Sequence, residues 1–207
     1  MHIAILGGSG RIGSHLVSWA LQNGHEVSAL ARTPGSLAPA DGLTLVIGQA
    51  TDSDAVADVV SGADAVLSAL GPRGARTPAL LETAASHVVA AMDKAGVRRL
   101  LAVSAAGAFI QGDPDRGAVV KFILPRILAT TFADVRRMES AVAASDLDWT
   151  LVRPTRLVNS PGTGRYRVRP EFPPPGGGKI ARADVAHFIA GALTEHNWVG
   201  SRPALAY

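Results

Sequence analysis

Short apolar runs alternate with longer stretches of helical periodicity along most of the chain. His2-Ile-Ala-Ile-Leu6 reads as a buried strand that breaks at the glycine cluster Gly7-Gly-Ser-Gly10. From Arg11 to Asn23, the residues Ile12, Leu16, Trp19 and Ala20 recur on one helical face. Gly24 suits the left-handed position that ends such a helix. Glu26 to Ala31 and Leu43 to Ile47 predict a second and a third strand, and Thr51 or Asp52 is placed to cap a helix over Ala55 to Val60. Ala63 to Leu70 predicts a fourth strand, closed by Gly71-Pro72. Thr77-Pro78 has the form of an N-cap and first helical residue, opening a long helix to Ala95 with Gly96 at its end. Arg99 to Ser104 is a fifth strand. A less regular region begins at Asp113-Pro114, and Pro125 argues against an uninterrupted helix there. Thr131 to Ser145 is helical, and Asp148 to Arg153 is a sixth strand ended by Pro154.

Strands that alternate with helices in this way imply right-handed crossovers and an α/β fold with a doubly wound parallel sheet. No internal repeat or linker interrupts the pattern, so residues 1–207 are expected to form a single domain. Glycine and proline concentrate after Thr155, and residues 155–180 are expected to form part of a small C-terminal lobe over the carboxyl edge of the sheet. Pro170 to Gly178 reads as a surface loop, and a last helix runs from about Asp184 to Glu195.

Composition agrees with a sheet covered on both faces. Of 207 residues, 47% are hydrophobic and 18% charged, against a usual charged share of about 25%. Disorder and a coiled coil are excluded. The absence of cysteine excludes disulfides, thiolate nucleophiles and cysteine-ligated metal centres. Lys121 and Arg126 interrupt the most apolar region, so no stretch of eighteen apolar residues occurs, and the N-terminus lacks a basic leader. A soluble cytoplasmic protein without membrane partners, a monomer or homodimer, is the expectation. The six histidines show neither H-x-x-x-H nor H-E-x-x-H spacing, which leaves no metal site. Ser14 and His15 are helical neighbours and point apart. Arg165, Arg167 and Arg169 alternate as a solvated strand edge would, without the aromatic residues that stack on bases, so no nucleic acid is expected. The net charge of +3 rests on arginine and by itself names no partner.

The chemistry starts at the first turn. Gly8-x-Gly10-x-x-Gly13 and the overlapping Gly7-x-x-Gly10-x-x-Gly13 follow a strand and open a helix, the context a Rossmann-like dinucleotide site requires. Glycines let backbone N–H groups approach a pyrophosphate, the helix N-terminus adds positive potential, and Ser9 offers a hydroxyl. A site for NAD would place a carboxylate at the end of the second strand. Here that place holds Leu30-Ala31-Arg32-Thr33, so Arg32, with help from Thr33 and Ser36, points to the 2′-phosphate of NADP(H).

At this point the chain resembles a known family, the atypical short-chain dehydrogenase/reductases with an NAD(P)H-binding domain. It is most similar within them to the biliverdin-IXβ and flavin reductases and their bacterial relatives. The resemblance covers nearly the whole chain. It is carried by Gly7-Gly-Ser-Gly-Arg-Ile-Gly13, Ala29-Leu-Ala-Arg32, Ala63-Asp-Ala-Val-Leu-Ser-Ala-Leu-Gly71 and Ser145-Asp-Leu-Asp-Trp-Thr-Leu-Val-Arg-Pro154. Gly162-Thr-Gly-Arg-Tyr166 and Arg182-Ala-Asp-Val-Ala186 add to it. The resemblance implies that Gly7, Ser9, Gly10, Arg11, Ile12 and Gly13 form the cofactor loop. Gln49 and Ala50 then fall where the family flanks the adenine, although the family usually has Asp where this chain has Gln49. Leu70, Gly71 and Arg73 would pass along the cofactor, Val103 and Ser104 would lie near the nicotinamide, and Pro154, Thr155 and Arg156 would border nicotinamide and substrate.

One departure decides the expected chemistry. The main branch of these enzymes uses Tyr-x-x-x-Lys as a proton relay, but Pro170 stands four residues after Tyr166, and Tyr207 is the last residue. Alcohol or ketone chemistry and sugar epimerisation by that relay are therefore not expected. An NADPH-dependent reductase of a flavin, quinone or similar planar acceptor fits, with Ser104 and Arg156 as the catalytic candidates. Ser104 would hydrogen-bond the nicotinamide amide or the substrate. Arg156 would hold a flavin phosphate or stabilise negative charge on the reduced acceptor. The alternative is a non-catalytic NADP(H) sensor resembling the NmrA-type regulators, which also lacks the tyrosine. Arg182 and Asp184 are expected to anchor the last helix.

Overall fold

Apolar residues on alternate positions of the strands face opposite sides of one sheet. Ile3 and Ile5 of β1 (His2–Leu6) pack into one core and Ala4 and Leu6 into the other, and all four are fully buried. The computed structural model describes residues 1–71, 79–115, 117 and 126–207. Pro72, Arg73, Thr77-Pro78, Lys121 and Pro125 lie outside the described residues.

The remaining strands of the wound sheet are β2 (Glu26–Ala31), β3 (Leu43–Ile47), β4 (Ala65–Ser68), β5 (Arg99–Val103) and β6 (Asp148–Pro154). Four short ones follow: β7 (Arg156–Val158), β8 (Arg167–Pro170), β9 (Lys179–Ala181) and β10 (Pro203–Ala206). The helices are α1 (Gly13–Gln22), α2 (Ser53–Val60), α3 (Leu80–Ala95), α4 (Ala129–Ala143) and α5 (Arg182–Glu195), with a 3₁₀ helix at Ala106–Gly112. The eight-stranded sheet runs β3-β2-β1-β4-β5-β6-β10-β8. All its pairs are parallel except β10 with β8. This is a Rossmann-like α/β fold, and the strand order reverses between β1 and β4. Helices α2, α3 and α4 cover one face around Val66, Leu100 and Leu151, while α1 and α5 cover the other around Leu67, Leu101 and Val152.

Local signals explain some of the helix ends. Asp52 caps α2, accepting from the N–H groups of Asp54 and Ala55. Gly24 and Gly96 are left-handed just past α1 and α3. The segment after Thr155 departs from expectation in two ways. It holds two strands, β7 and β9, that pair with each other in parallel, and β10 extends the main sheet beyond β6. The Pro170–Gly178 stretch is also not a simple surface loop. Pro173, Pro174 and Gly177 are buried, because the chain folds back beneath β10. Of the alternating arginines only Arg167 and Arg169 lie in a strand; Arg167 donates to the carbonyls of Pro175 and Tyr207, and Arg169 pairs with Asp115. Among the described residues no helix is long and apolar enough to cross a membrane, and no group of acidic or histidine side chains could hold a metal ion.

Candidate cofactor and substrate cleft

The loop after β1 is shaped by close backbone approach. Gly7 has φ +79°, and a Cβ there would sit 2.9 Å from the Ala69 carbonyl at the end of β4. Its own carbonyl accepts from Gly10 N–H at 2.9 Å, and Gly10 accepts from Ser14 N–H at 2.8 Å, which winds the loop into α1. Gly13 packs directly on Gly7 and Gly8, so its part is to bring loop and helix together. Ile12, ahead of α1, provides no side-chain cap, and the first turn of α1 carries no acidic residue. The helix N-terminus therefore offers backbone donors and positive potential to an anion.

Two connected hollows open at the carboxyl edge. The first, about 170 Å³, is lined by Ser9, Gly10, Leu30, Ala31, Arg32, Gln49, Ala50, Leu70 and Gly71. Arg32 is exposed there and forms no ion pair among the described residues. The second is a cleft of about 790 Å³. It runs from Ser9, Gly10, Arg11 and Ile12 past Leu70 and Gly71 to Val103, Ser104, Phe132, Val135, Leu157 and Arg182.

Behind the cleft lies a buried polar cluster. Ser104 is 7% exposed, and its hydroxyl donates to Glu139 Oε1. Glu139, on α4 and 3% exposed, is held by Arg153 of β6 through Nε at 2.9 Å and Nη2 at 2.7 Å. Arg202 approaches the same carboxylate at 3.4 Å. Arg153 also reaches Glu171 at 3.0 Å and lies over the Phe109 ring, 3.6 Å from its centroid. Each charge in the cluster thus meets an opposite one, which is the condition for burying it.

The tyrosines are engaged elsewhere. Tyr166 OH and His187 Nδ1 are 2.8 Å apart, and the ring packs edge-on against His187 and Phe188. Burial, reinforced by Asp184 and Glu195, pushes its phenol up to about 12. Tyr207 OH donates to Asp184 Oδ2 at 2.6 Å, and burial followed by this bond raises its pKa. Asp184 also accepts from the N–H groups of Thr163 and Gly164. Burial alone would raise its carboxyl, but these bonds outweigh it and hold the pKa below the ordinary value. Asp184 thereby ties α5 to the Gly162–Tyr166 turn, as an anchor should.

The residues expected from sequence separate into four groups, one of them Gly13 alone, which lines neither hollow and packs on Gly7 and Gly8. Gly7, Ser9, Gly10, Arg11, Ile12, Arg32, Gln49, Ala50, Leu70, Gly71, Val103 and Ser104 line the two hollows. Pro154, Thr155 and Arg156 do not join them. They line an adjoining recess of about 480 Å³, which shares Ala105 and Phe132 with the cleft. Thr155 there spends both its N–H and its hydroxyl on the Leu205 carbonyl, each at 3.1 Å. Arg73 is outside the described residues. Sequence reasoning missed Glu139, Arg153, Phe132, Val135 and Leu157. Arg153 did carry a signal, since a charge inside the apolar run Leu151-Val-Arg-Pro154 needs a buried partner.

The switch-point cleft, glycine loop and uncapped helix define a dinucleotide-binding protein. Residues 7–196 match the model of the NAD(P)H-binding family, and the chain belongs to that family. It is 28% identical over 205 residues to the uncharacterized sugar epimerase YhfK of Bacillus subtilis, covering 95% of this chain and 90% of that one. It is 35% identical over 183 residues to the 3-diazoavenalumate denitrifying reductase of a Streptomyces species, covering 81% of this chain and 59% of the relative. A short-chain dehydrogenase/reductase from Veillonella parvula, solved in complex with NADP, superposes with a TM-score of 0.85 at 20% identity, covering 100% of this chain and 94% of that one. At family level the chain is an NAD(P)H-dependent oxidoreductase type. The residues present fit the cofactor, because the glycine loop brings backbone donors close to the cleft and the α1 N-terminus is without an acidic cap.

Proposed function

We propose that the protein is an NADPH-dependent reductase of a small planar acceptor of the flavin or quinone class. The observation that carries this reading is the state of the proton donors around the cleft. Ser104 gives its proton to Glu139, and both tyrosines are bonded away from the cleft, so an acceptor that needs no side-chain acid suits the site. This favours reduction over an epimerase-type relay, and a relative that is named a reductase supports it.

When bound, the cofactor supplies hydride at its nicotinamide ring. Backbone donors of residues 9–12 and the α1 N-terminus would hold its pyrophosphate, and Arg32 its 2′-phosphate. Gln49 and Ala50 would flank the adenine, with Leu70, Gly71, Val103 and Ser104 along the remainder. The apolar side chains of Phe132, Val135 and Leu157 line the same cleft and would help to exclude water from it once it is filled. Pro154, Thr155 and Arg156 would border the acceptor's side, with residues 155–180 as part of the lobe over it; Pro173 and Gly178 of that segment line the same recess. The test follows NADPH and NADH consumption with FMN, riboflavin and menadione. Turnover that prefers NADPH supports the reading. Tight binding of NADP⁺ and NADPH without turnover of any acceptor would identify a sensor instead.

A further inference from the structure

Two guanidiniums meet at one neutral oxygen beside the cleft. Arg11, just ahead of α1, and Arg182, the first residue of α5, both donate to Asn159 Oδ1, at 3.5 and 2.6 Å. Neither has a carboxylate partner among the described residues. The helix ends add to the positive potential. α1 has no acidic residue in its first turn, and the only one in the first turn of α5, Asp184, is turned toward Thr163, Gly164 and Tyr207. A cation at a helix N-terminus is opposed by the helix dipole, and here two such ends lie on helices packed against each other. Burial, and after it the charge of Arg11, lowers the Arg182 pKa. A recess of about 290 Å³ opens at this point, with Ser14, His15 and Ser160 on its walls. Arg11 and Arg182 also face the main cleft, so the recess and the cleft meet at the two guanidiniums.

Solvated surface arginines turn away from one another. These two converge, on an oxygen that carries no charge, and an oxyanion would supply the compensation that the protein lacks. We propose that Arg11 and Arg182 form an anion site for a phosphate or carboxylate group carried by the acceptor. This rests on the reductase reading and narrows it to acceptors with an acidic tail. It also moves the anion contact away from Arg156, which borders the more apolar recess on the far side of Phe132. The two guanidiniums bind the oxyanion as paired donors, and the hydroxyls of Ser14 and Ser160 are close enough to the recess to add to them.

The experiment measures binding of FMN and riboflavin to NADP⁺-saturated protein by isothermal titration calorimetry, for wild type, Arg182→Ala, Arg182→Gln and Arg156→Ala. Wild type should hold FMN at least about tenfold more tightly than riboflavin, and both Arg182 variants should lose that preference. Equal affinity of wild type for the two flavins overturns the site. So does an FMN preference lost in Arg156→Ala but kept in the Arg182 variants. If the Arg182 variants lose NADP⁺ affinity as much as FMN affinity, the guanidiniums serve the cofactor's pyrophosphate and the proposal fails. Inorganic phosphate gives a readout independent of the acceptor. It should raise the Tm of NADP⁺-saturated wild type and not that of Arg182→Gln. An unchanged difference between the two overturns the site, whereas a phosphate effect without flavin binding supports the site and overturns only the flavin reading.

Discussion

Ser104 and Glu139 are joined at the back of the cleft by a hydrogen bond in which the hydroxyl is the donor. A serine has one proton to give, so the face of Ser104 that meets the cleft presents lone pairs. It can accept from an amide N–H, and the carboxylate behind it is already engaged by Arg153 and Arg202. In the proposed reaction the pair would therefore position a ligand without feeding it protons.

Ser104→Ala should lower single-turnover NADPH oxidation by about tenfold, the equivalent of one positioning hydrogen bond of roughly 1 kcal/mol. A true general acid would cost about 10²–10⁴-fold. Tyr166→Phe and Tyr207→Phe should leave the chemical step within about twofold of wild type, since neither phenol lines the cleft. A thousandfold loss in any of the three, with ligand binding intact, would reveal a proton relay and defeat the mechanism.

On the proposed reading, Arg32 at the edge of the first hollow sets the choice of cofactor. Arg32→Ala should weaken NADPH binding by about 1.5–3 kcal/mol, the worth of a charge-assisted contact, and leave NADH binding nearly unchanged. Fluorescence titration with both nucleotides checks this. Equal losses for the two would remove Arg32 from the 2′-phosphate site.

The wound sheet was legible because its strands are nearly uniform apolar runs. Glu26–Ala31 and Leu43–Ile47 have the expected bounds, and of the two cap candidates, Thr51 and Asp52, it is Asp52 that caps α2. β10 was not legible. Pro203-Ala-Leu-Ala206 is too short and too poor in β-branched residues to read as a strand, and it forms because β6 and β8 offer it edges on both sides. The glycine loop was legible because its turn is written in a few consecutive residues, and Arg32 was legible as a lining residue because it directly follows β2. The link from Ser104 through Glu139 to Arg153 was not, because its members come from the residue after β5, from α4 and from β6, and meet only after the crossover is made.

Asp184 makes stability depend on pH. Its folded pKa is depressed, by the bonds from Tyr207, Thr163 and Gly164 working against burial. A group of this kind contributes fully above its unfolded pKa of about 3.9 and loses the contribution as pH falls through the folded value. Asp184→Asn should therefore be less stable than wild type at neutral pH, and the gap should close as the pH drops below about 4. Urea unfolding across that range measures it. A gap that widens in acid would show that the sign is wrong.

The Glu139–Arg153 pair should behave as a unit. Both side chains are almost fully enclosed, so removing one leaves the other charge in the core with incomplete compensation. Arg153→Met should cost about 3–5 kcal/mol in urea unfolding, because Glu139 keeps only Ser104 and the more distant Arg202. Glu139→Leu should cost less, since Arg153 retains Glu171 and the Phe109 ring, and Glu171 is half exposed and can follow it. The double variant should be clearly more stable than the sum of the two single losses predicts. Replacing both charges by apolar groups avoids the stranded carboxylate altogether, and a coupling of about 1–3 kcal/mol is expected for side chains in direct contact. The cycle also tests the tether to the cleft. In Glu139→Leu the Ser104 hydroxyl loses its acceptor and becomes free to donate, so nicotinamide binding should weaken even where folding is intact. Strictly additive losses, with cofactor affinity unchanged in Glu139→Leu, would show that the carboxylate neither holds Arg153 in place nor orients Ser104.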